Sequence, residues 1–374
     1  MIEAARPNRA LSGLKAYDPG HDLVALRALA GAHKLLELGS NENPFGPSPD
    51  ALDAARASLQ LAHIYPDPGG RALKRALAAH YRLDAAHITL GNGSHELLML
   101  IAQAFVDPAD EVLYAQFGFA VFALAAQAAN AKARVIPALA LDAEQPRGHD
   151  LAAMLAAIGP ATRLVYLANP NNPTGTYFTQ AALKGFLEQV PSRTLVVLDE
   201  AYFEYADAAK VADARALLEE FPNLIVTRTF SKGHGLAGLR VGYALAHADV
   251  GATMERLRES FNVNGVALAA AQAALADCAW MHNSVRDCVE QRELLAHGLR
   301  DLELLVTPSQ TNFLLVDFRQ PAATIEANLL ACGVIVRPMG GYGLPNCLRV
   351  SVGLAADNAR LIAVLRDILN EGRA

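Results

Sequence analysis

Leu224-Ile-Val-Thr-Arg-Thr-Phe-Ser-Lys232-Gly-His-Gly-Leu-Ala-Gly-Leu-Arg240 is the stretch on which the fold turns. Residues 224–227 form a short, almost wholly apolar run, which suits a strand buried on both faces of a parallel sheet. A glycine-rich loop follows, with a lysine and, further on, an arginine. The loop contains a literal G-x-G-x-x-G at Gly233, Gly235 and Gly238. A dinucleotide site needs that pattern to open a helix, with an acid about 20 residues beyond. Here the glycines lead into Leu239-Arg-Val-Gly-Tyr243, a second strand-like piece, and Asp249 and Glu255 lie past it in a helix-like segment. The nicotinamide reading therefore has little support. A lysine at a strand's end suits a carbonyl-reactive amine instead, because burial or nearby cations favour its neutral, nucleophilic form. Arg240 could grip a phosphate with its fork of donors. On these residues alone, a solvated lysine and a structural arginine in an ordinary loop is an equally open reading.

Outward from that loop, helical and strand patterns alternate. Helix-like stretches fall at 49–61, 71–81, 95–106, 150–158, 179–189 and 213–220. Short aliphatic or β-branched runs fall at 111–114, 134–136, 164–167, 195–198, 224–227 and 241–245. This predicts an α/β fold, a large domain over 39–261 with a mainly parallel sheet flanked by helices and ligand loops at the strand ends. From 262 the pattern changes to two long helical stretches, three strand-like runs (312–317, 334–337, 348–352) and a closing helix. A smaller α+β domain, 262–374, is expected there. The segment 1–38 lacks a strong strand and is expected to be an arm packing on that smaller unit.

Length and composition agree. At about 150 residues per domain, 374 residues make roughly two. Hydrophobic residues at 52% and charged ones at 19% describe a globular chain. Lys+Arg 32 against Asp+Glu 38 gives a net charge of −6, which argues against sequence-independent nucleic-acid binding and leaves room for a local anion site. Cys278, Cys288, Cys332 and Cys347 form no C-x-x-C pair, and the histidines show no metal-ligand spacing. So few cysteines suit a reducing compartment. The N-terminus has no apolar signal segment, and the longest apolar runs are shorter than the ~18–20 residues of a membrane span. A cytoplasmic protein with no metal, membrane or nucleic-acid partner is expected.

Two further stretches sit where the other strands should end. Asn169-Pro-Asn-Asn-Pro-Thr-Gly175 is strong turn chemistry, and it would hold an amide rigidly at a strand's end. Leu195-Val-Val-Leu-Asp199-Glu-Ala-Tyr202 ends an apolar run on a carboxylate, which is costly to bury without a cationic partner. Amide, carboxylate, phenol, amine and guanidinium thus arrive in order at successive strand ends of one sheet. In this the chain resembles the fold type I pyridoxal-phosphate aminotransferases over nearly its whole length. Leu38-Gly-Ser-Asn-Glu-Asn-Pro-Phe-Gly-Pro-Ser-Pro49, Ile64-Tyr-Pro-Asp67, Gly91-Asn-Gly-Ser-His-Glu-Leu-Leu98 and Gly341-Tyr-Gly-Leu-Pro-Asn-Cys-Leu-Arg349 narrow the likeness to the histidinol-phosphate aminotransferase family.

The resemblance implies a set of roles. Lys232 would carry pyridoxal 5'-phosphate as a Schiff base and shuttle the proton at the substrate's Cα, and Asp199 would pair with the pyridine nitrogen. Asn172 and Tyr202 would bond the ring's 3-oxygen. Arg240, Ser231 and the backbone at Gly93 and Ser94 would hold the phosphate, and Phe117 would stack on the ring. Tyr65 would reach the phosphate in a neighbouring subunit, implying a homodimer with shared sites. Arg349, Arg337, Asn41 and Tyr17 would bind substrate. The implied activity is ping-pong exchange between L-histidinol phosphate and 2-oxoglutarate in histidine biosynthesis. An aromatic amino-acid aminotransferase, a threonine-phosphate decarboxylase and a non-catalytic pyridoxal-phosphate-binding regulator are the rivals. His95, where the family often has Asp, and His234, where it has a small residue, depart from the pattern.

Overall fold

The computed structural model describes residues 20–30, 35–211 and 213–371. Its first strand, Leu36–Glu37 (β1), joins the C-terminal part of the chain. The main sheet is built from Ile88–Gly91 (β2), Glu111–Ala115 (β3), Lys132–Ile136 (β4), Thr162–Ala168 (β5), Leu195–Asp199 (β6), Leu224–Thr229 (β7) and Gly242–Ala246 (β8). Its order is β2-β8-β7-β6-β5-β3-β4. Strands β3 to β7 run parallel, and β8 runs against both its neighbours.

Successive side chains of a strand point to opposite faces, and the sheet's two cores divide accordingly. Val165, Leu167, Val196, Leu198, Leu224 and Val226 belong to one apolar cluster, and Leu164, Tyr166, Leu195, Val197 and Ile225 to another. Apolar residues at every position are thus what a sheet covered on both faces requires. Parallel register then sets the strand ends side by side, Ala168 opposite Asp199 and Asp199 opposite Thr227. That alignment brings the three quoted loops together.

The C-terminal part carries Leu305–Val306 (β9), Phe313–Asp317 (β10), Val334–Ile335 (β11), Arg337–Pro338 (β12) and Cys347–Ser351 (β13). Four of these form an antiparallel sheet, β12-β13-β10-β9, and β11 pairs in parallel with β1. The helices Cys278–Asp301, Ala323–Ala331 and Ala355–Glu371 cover them, and Leu36 and Leu38 join their core. Tyr202 and Ala201, from the end of β6, are buried in that same cluster, so the two parts meet beside the strand ends.

Several placements differ from the sequence reading, among them these. Strand β2 was not among the expected runs: it is only four residues long and holds its place by pairing with β8. The expected helix at 213–220 is a 3₁₀ turn, Ala214–Leu217, capped by Asp213. The run 334–337 is two strands serving two sheets. The helix Gly265–Ala276 falls on the C-terminal side of a boundary at 262, yet Ala267, Ala270, Ala271 and Ala274 pack into the large sheet's core. Its small side chains let it lie close against Pro49–Ser58. Among the described residues, no helix is long and apolar enough to cross a membrane.

Candidate active site

Lys232 lies three residues past β7, on a tight loop closed by the N–H of Gly235 donating to the Lys232 carbonyl. It lines a cavity of about 280 Å³ together with Asp199, Tyr202, Asn172, Arg240 and Arg349. Lys232 Nζ donates to the carbonyls of Asn41 (2.9 Å) and Ser40 (3.2 Å). Burial pulls its proton affinity down to about 7; Arg349 contributes next and Arg240 adds to it, while Glu42 and Asp199 oppose. A neutral amine has two hydrogens to donate, and two carbonyls take them. Its lone pair is left to the cavity.

Asp199 ends β6 and shows the opposite shift. Burial pushes its carboxyl up to about 7, against the pull of the Thr227 hydroxyl, 3.0 Å from Oδ1, and the Ala201 N–H. No ion pair reaches Asp199 among the described residues. A carboxylate held there is completed by a cationic ligand group such as a protonated ring nitrogen.

A second cluster of donors on the cavity wall gathers around Arg240. Gly93 caps the helix Ser94–Phe105 with φ +91, and a Cβ on it would lie 2.3 Å from Arg240 Nη2. Only glycine lets the guanidinium approach that helix start. Arg240, itself left-handed at φ 59, donates from Nη1 to Ser231 Oγ (3.2 Å) and to the Ala237 carbonyl (3.0 Å). Helix N–H groups, a hydroxyl and a guanidinium thus converge, which is the donor set an anion needs. His95 sits on the first turn of the same helix and lines the cavity; burial and then the Arg240 charge lower its proton affinity.

Arg349, in β13, closes the cavity from the C-terminal part. It donates from Nη1 to Asn172 Oδ1 and from Nη2 to the Gly39 carbonyl, each at 2.8 Å. Tyr202 OH accepts from Asn41 Nδ2 (3.0 Å) and Asn172 Nδ2 (3.4 Å). Asn172 stands between two cis prolines, Pro170 and Pro173. These four residues form one network.

The remaining expected residues are placed elsewhere. Arg337 pairs in register with Arg349 but packs under Gly20 and does not line the cavity. Tyr65 is 81% exposed, stacks on Phe261 at 4.8 Å and lines a separate groove of about 770 Å³. Tyr17 lies outside the described residues. Phe117 is not among the residues lining the cavity: it packs with Leu315, Met339, Leu344 and Cys347, and its carbonyl takes a bond from Asn171 Nδ2. Phe119, two residues on and directly before the helix Ala120–Ala128, lines the cavity instead. Residues 115–118 form a turn, with the Gly118 N–H donating to the Ala115 carbonyl (2.8 Å), so the chain changes direction between the two rings. His234 is buried against Phe230 (4.8 Å), away from the cavity. Ser40 and Glu42 also line the cavity and were not singled out, although both lie in the quoted Leu38–Pro49 segment.

Residues 33–365 match the family model for aminotransferase class I and II. The chain is 46% identical over 361 residues to histidinol-phosphate aminotransferase 2 of Pseudomonas fluorescens strain Pf0-1, covering 96% of each. In structure it is similar to the histidinol-phosphate aminotransferase of Sinorhizobium meliloti in complex with pyridoxal-5'-phosphate, with a TM-score of 0.89 and 32% identity over 98% of both chains. It shares its fold with the L-threonine-O-3-phosphate decarboxylase of Porphyromonas gingivalis at a TM-score of 0.79 and 23% identity, over 90% of this chain and 100% of that one.

Proposed function

This chain belongs to the class I and II aminotransferases, and on that premise we propose that it exchanges the amino group of L-histidinol phosphate with 2-oxoglutarate in histidine biosynthesis. The products are imidazole acetol phosphate and L-glutamate. One observation carries the reading: a buried lysine of lowered proton affinity, a buried carboxyl group without an ion pair among the described residues, an anion cradle and a second arginine open onto a single cavity. The donor set fits pyridoxal 5'-phosphate, which when bound supplies an electrophilic carbon and a sink for the electrons released at the substrate's Cα.

Lys232 would hold that group through Nζ and Asp199 through its ring nitrogen. Asn172 and Tyr202 would take its 3-oxygen, and Ser231, Arg240 and the N–H groups following Gly93 its phosphate. Phe119, rather than Phe117, would cover the ring. Lys232 Nζ, once free, takes the proton from the substrate's Cα and returns it on the far side of the reaction. Burial and the charges of Arg349 and Arg240 lower its proton affinity, which favours the neutral form that accepts a proton. Arg349 binds the anionic end of each substrate in turn, since a guanidinium fork fits a carboxylate and a phosphate monoester alike. The exposed Tyr65 would complete the site of a second copy, making a homodimer with shared sites in the cytoplasm.

A single half-reaction tests the reading. Protein saturated with cofactor is mixed separately with L-histidinol phosphate, L-phenylalanine and L-threonine phosphate, without keto acid, and the cofactor's absorbance is followed. Rapid conversion by histidinol phosphate is the expected result. Conversion by phenylalanine alone would make this an aromatic aminotransferase, and CO₂ release from threonine phosphate would make it a decarboxylase.

A further inference from the structure

The cavity holds one charge that the proposed function leaves unused. Its cations, Lys232, Arg240 and Arg349, and the carboxylate of Asp199 all have partners in that reading. Glu42 lines the same cavity and has no ligand in that reading, although its charge raises the proton affinity of Lys232. Its side chain is exposed, and its carboxylate makes no ion pair among the described residues. Arg27, which feels its charge, is committed to Glu37 at 2.7 Å.

The backbone that carries Glu42 is fixed on both sides. Asn41 donates its N–H to Ser351 Oγ (2.8 Å), and Asn312 Nδ2 donates to the carbonyls of Asn41 (3.0 Å) and Glu42 (3.3 Å). Asn43 Nδ2 donates to the Gly233 carbonyl (3.0 Å), beside Lys232. Three elements therefore hold the main chain in place, and none of them engages the Glu42 carboxylate. A group presented in that way is available to a ligand. A dicarboxylate gains nothing from it and is repelled. An amine with a phosphate at one end and an N–H heterocycle at the other satisfies both Arg349 and Glu42.

We propose that the Glu42 carboxylate accepts a hydrogen bond from the imidazole N–H of the amine donor and so sets the enzyme's preference for it. The inference rests on the histidinol-phosphate reading of the site and names the group that reads the donor's side chain. A site built around such a bond discriminates against analogues lacking the donor, since a charged acceptor is then desolvated without a partner.

The test compares three donors in the cofactor-loaded half-reaction: L-histidinol phosphate, 2-amino-3-phenylpropyl phosphate, which replaces imidazole by phenyl, and L-glutamate. Wild type prefers histidinol phosphate to the phenyl analogue. Glu42→Ala narrows that kcat/KM ratio by about 10–100-fold, the value of a hydrogen bond to a charged group. Glu42→Gln, which keeps a neutral acceptor, falls between the two. For glutamate, KM falls in both variants because a repelling charge is gone. Equal losses on the imidazole and phenyl donors, or an unchanged ratio in both variants, overturn the assignment while leaving the proposed function standing. Failure of the wild type to convert histidinol phosphate at all overturns the proposed function, and this inference with it.

Discussion

Asp199 and Glu200 are adjacent in the chain and almost equally hidden, at 5% and 1% exposure, yet their surroundings have nothing in common. Glu200 accepts from Arg228 Nη2 (2.6 Å) and Nε (2.9 Å), and the same guanidinium reaches Asp213 at 2.7 Å. Arg228 also lies 4.0 Å over the Phe203 ring, and its acidic neighbours hold its proton affinity well above the usual range. Asp199, which points to the other face of the sheet, has a hydroxyl and a backbone N–H and, among the described residues, no ion pair. A buried charge satisfied from within is structure. One satisfied only by neutral donors is held for something that arrives.

The largest expected effect falls on the cavity's side. Lys232→Ala removes both the anchor for the cofactor and the group that moves the proton. Turnover should drop by at least about 10⁴-fold while the protein still melts cooperatively. A fully active alanine variant would remove the basis for every assignment around it.

The adjacent carboxylates give the sharper contrast. Asp199→Asn should lower kcat by about 10²–10³-fold, the size of a preorganised electrostatic contact. Glu200→Gln should leave most of the chemistry intact and cost roughly 1–3 kcal/mol of stability, because the buried Arg228 keeps only Asp213 as a charged partner. The pH dependence of the cofactor-free protein separates them further. Burial raises Asp199 from 3.8 to about 7, so the folded state holds this proton more tightly than the unfolded chain does. Its contribution to stability is present below about pH 4 and is lost as pH rises through 7, by up to about 4 kcal/mol. Urea melts of wild type and Asp199→Asn should therefore diverge between pH 4 and 8, the variant gaining on wild type. Parallel curves would mean that the carboxylate has a partner after all.

Arg349→Ala should come next. Both substrates present an anion to the same guanidinium, so kcat/KM for histidinol phosphate and for 2-oxoglutarate should each fall by about 10–100-fold. Loss on one substrate only would divide the site between two arginines and return Arg337 to consideration.

These contrasts show what a sequence can display. Strand β6 and strand β7 were legible because a parallel strand covered on both faces is apolar at every position, and the polar residue that ends it stands out. Asp199 follows from that rule, whereas Lys232 and Arg240 stood out through the glycine-rich loop and the family resemblance. Strand β2 escaped it because four residues held by β8 carry no periodic signal of their own. The helix Gly265–Ala276 has no apolar stripe to show which side it buries; alanine on every face leaves its partner to tertiary packing. Glu42 looked like one more surface acid in a quoted motif. Only the pinning of Asn41 and Asn43 reveals that its neighbours are fixed and its own side chain is not.

The two phenylalanines of Phe117-Gly-Phe119 reproduce the Asp199–Glu200 contrast on a smaller scale. Both are apolar, both follow β3, and composition cannot rank them. Phe117 fills the seam between the two parts of the molecule with Leu315, Met339 and Leu344, whereas Phe119 opens onto the cavity just before its helix begins. Phe119→Ala should weaken cofactor binding by roughly 2–10-fold, the value of one stacked ring, with stability little changed. Phe117→Ala should leave the cofactor's dissociation constant near that of wild type and lower the melting temperature, as truncation of a packed core ring does. A cofactor titration and a thermal melt on each variant decide between them. If Phe117→Ala proves to be the variant that loses cofactor, the ring stacked on the cofactor is the one the family resemblance implied, and the loop must rearrange when the ligand binds.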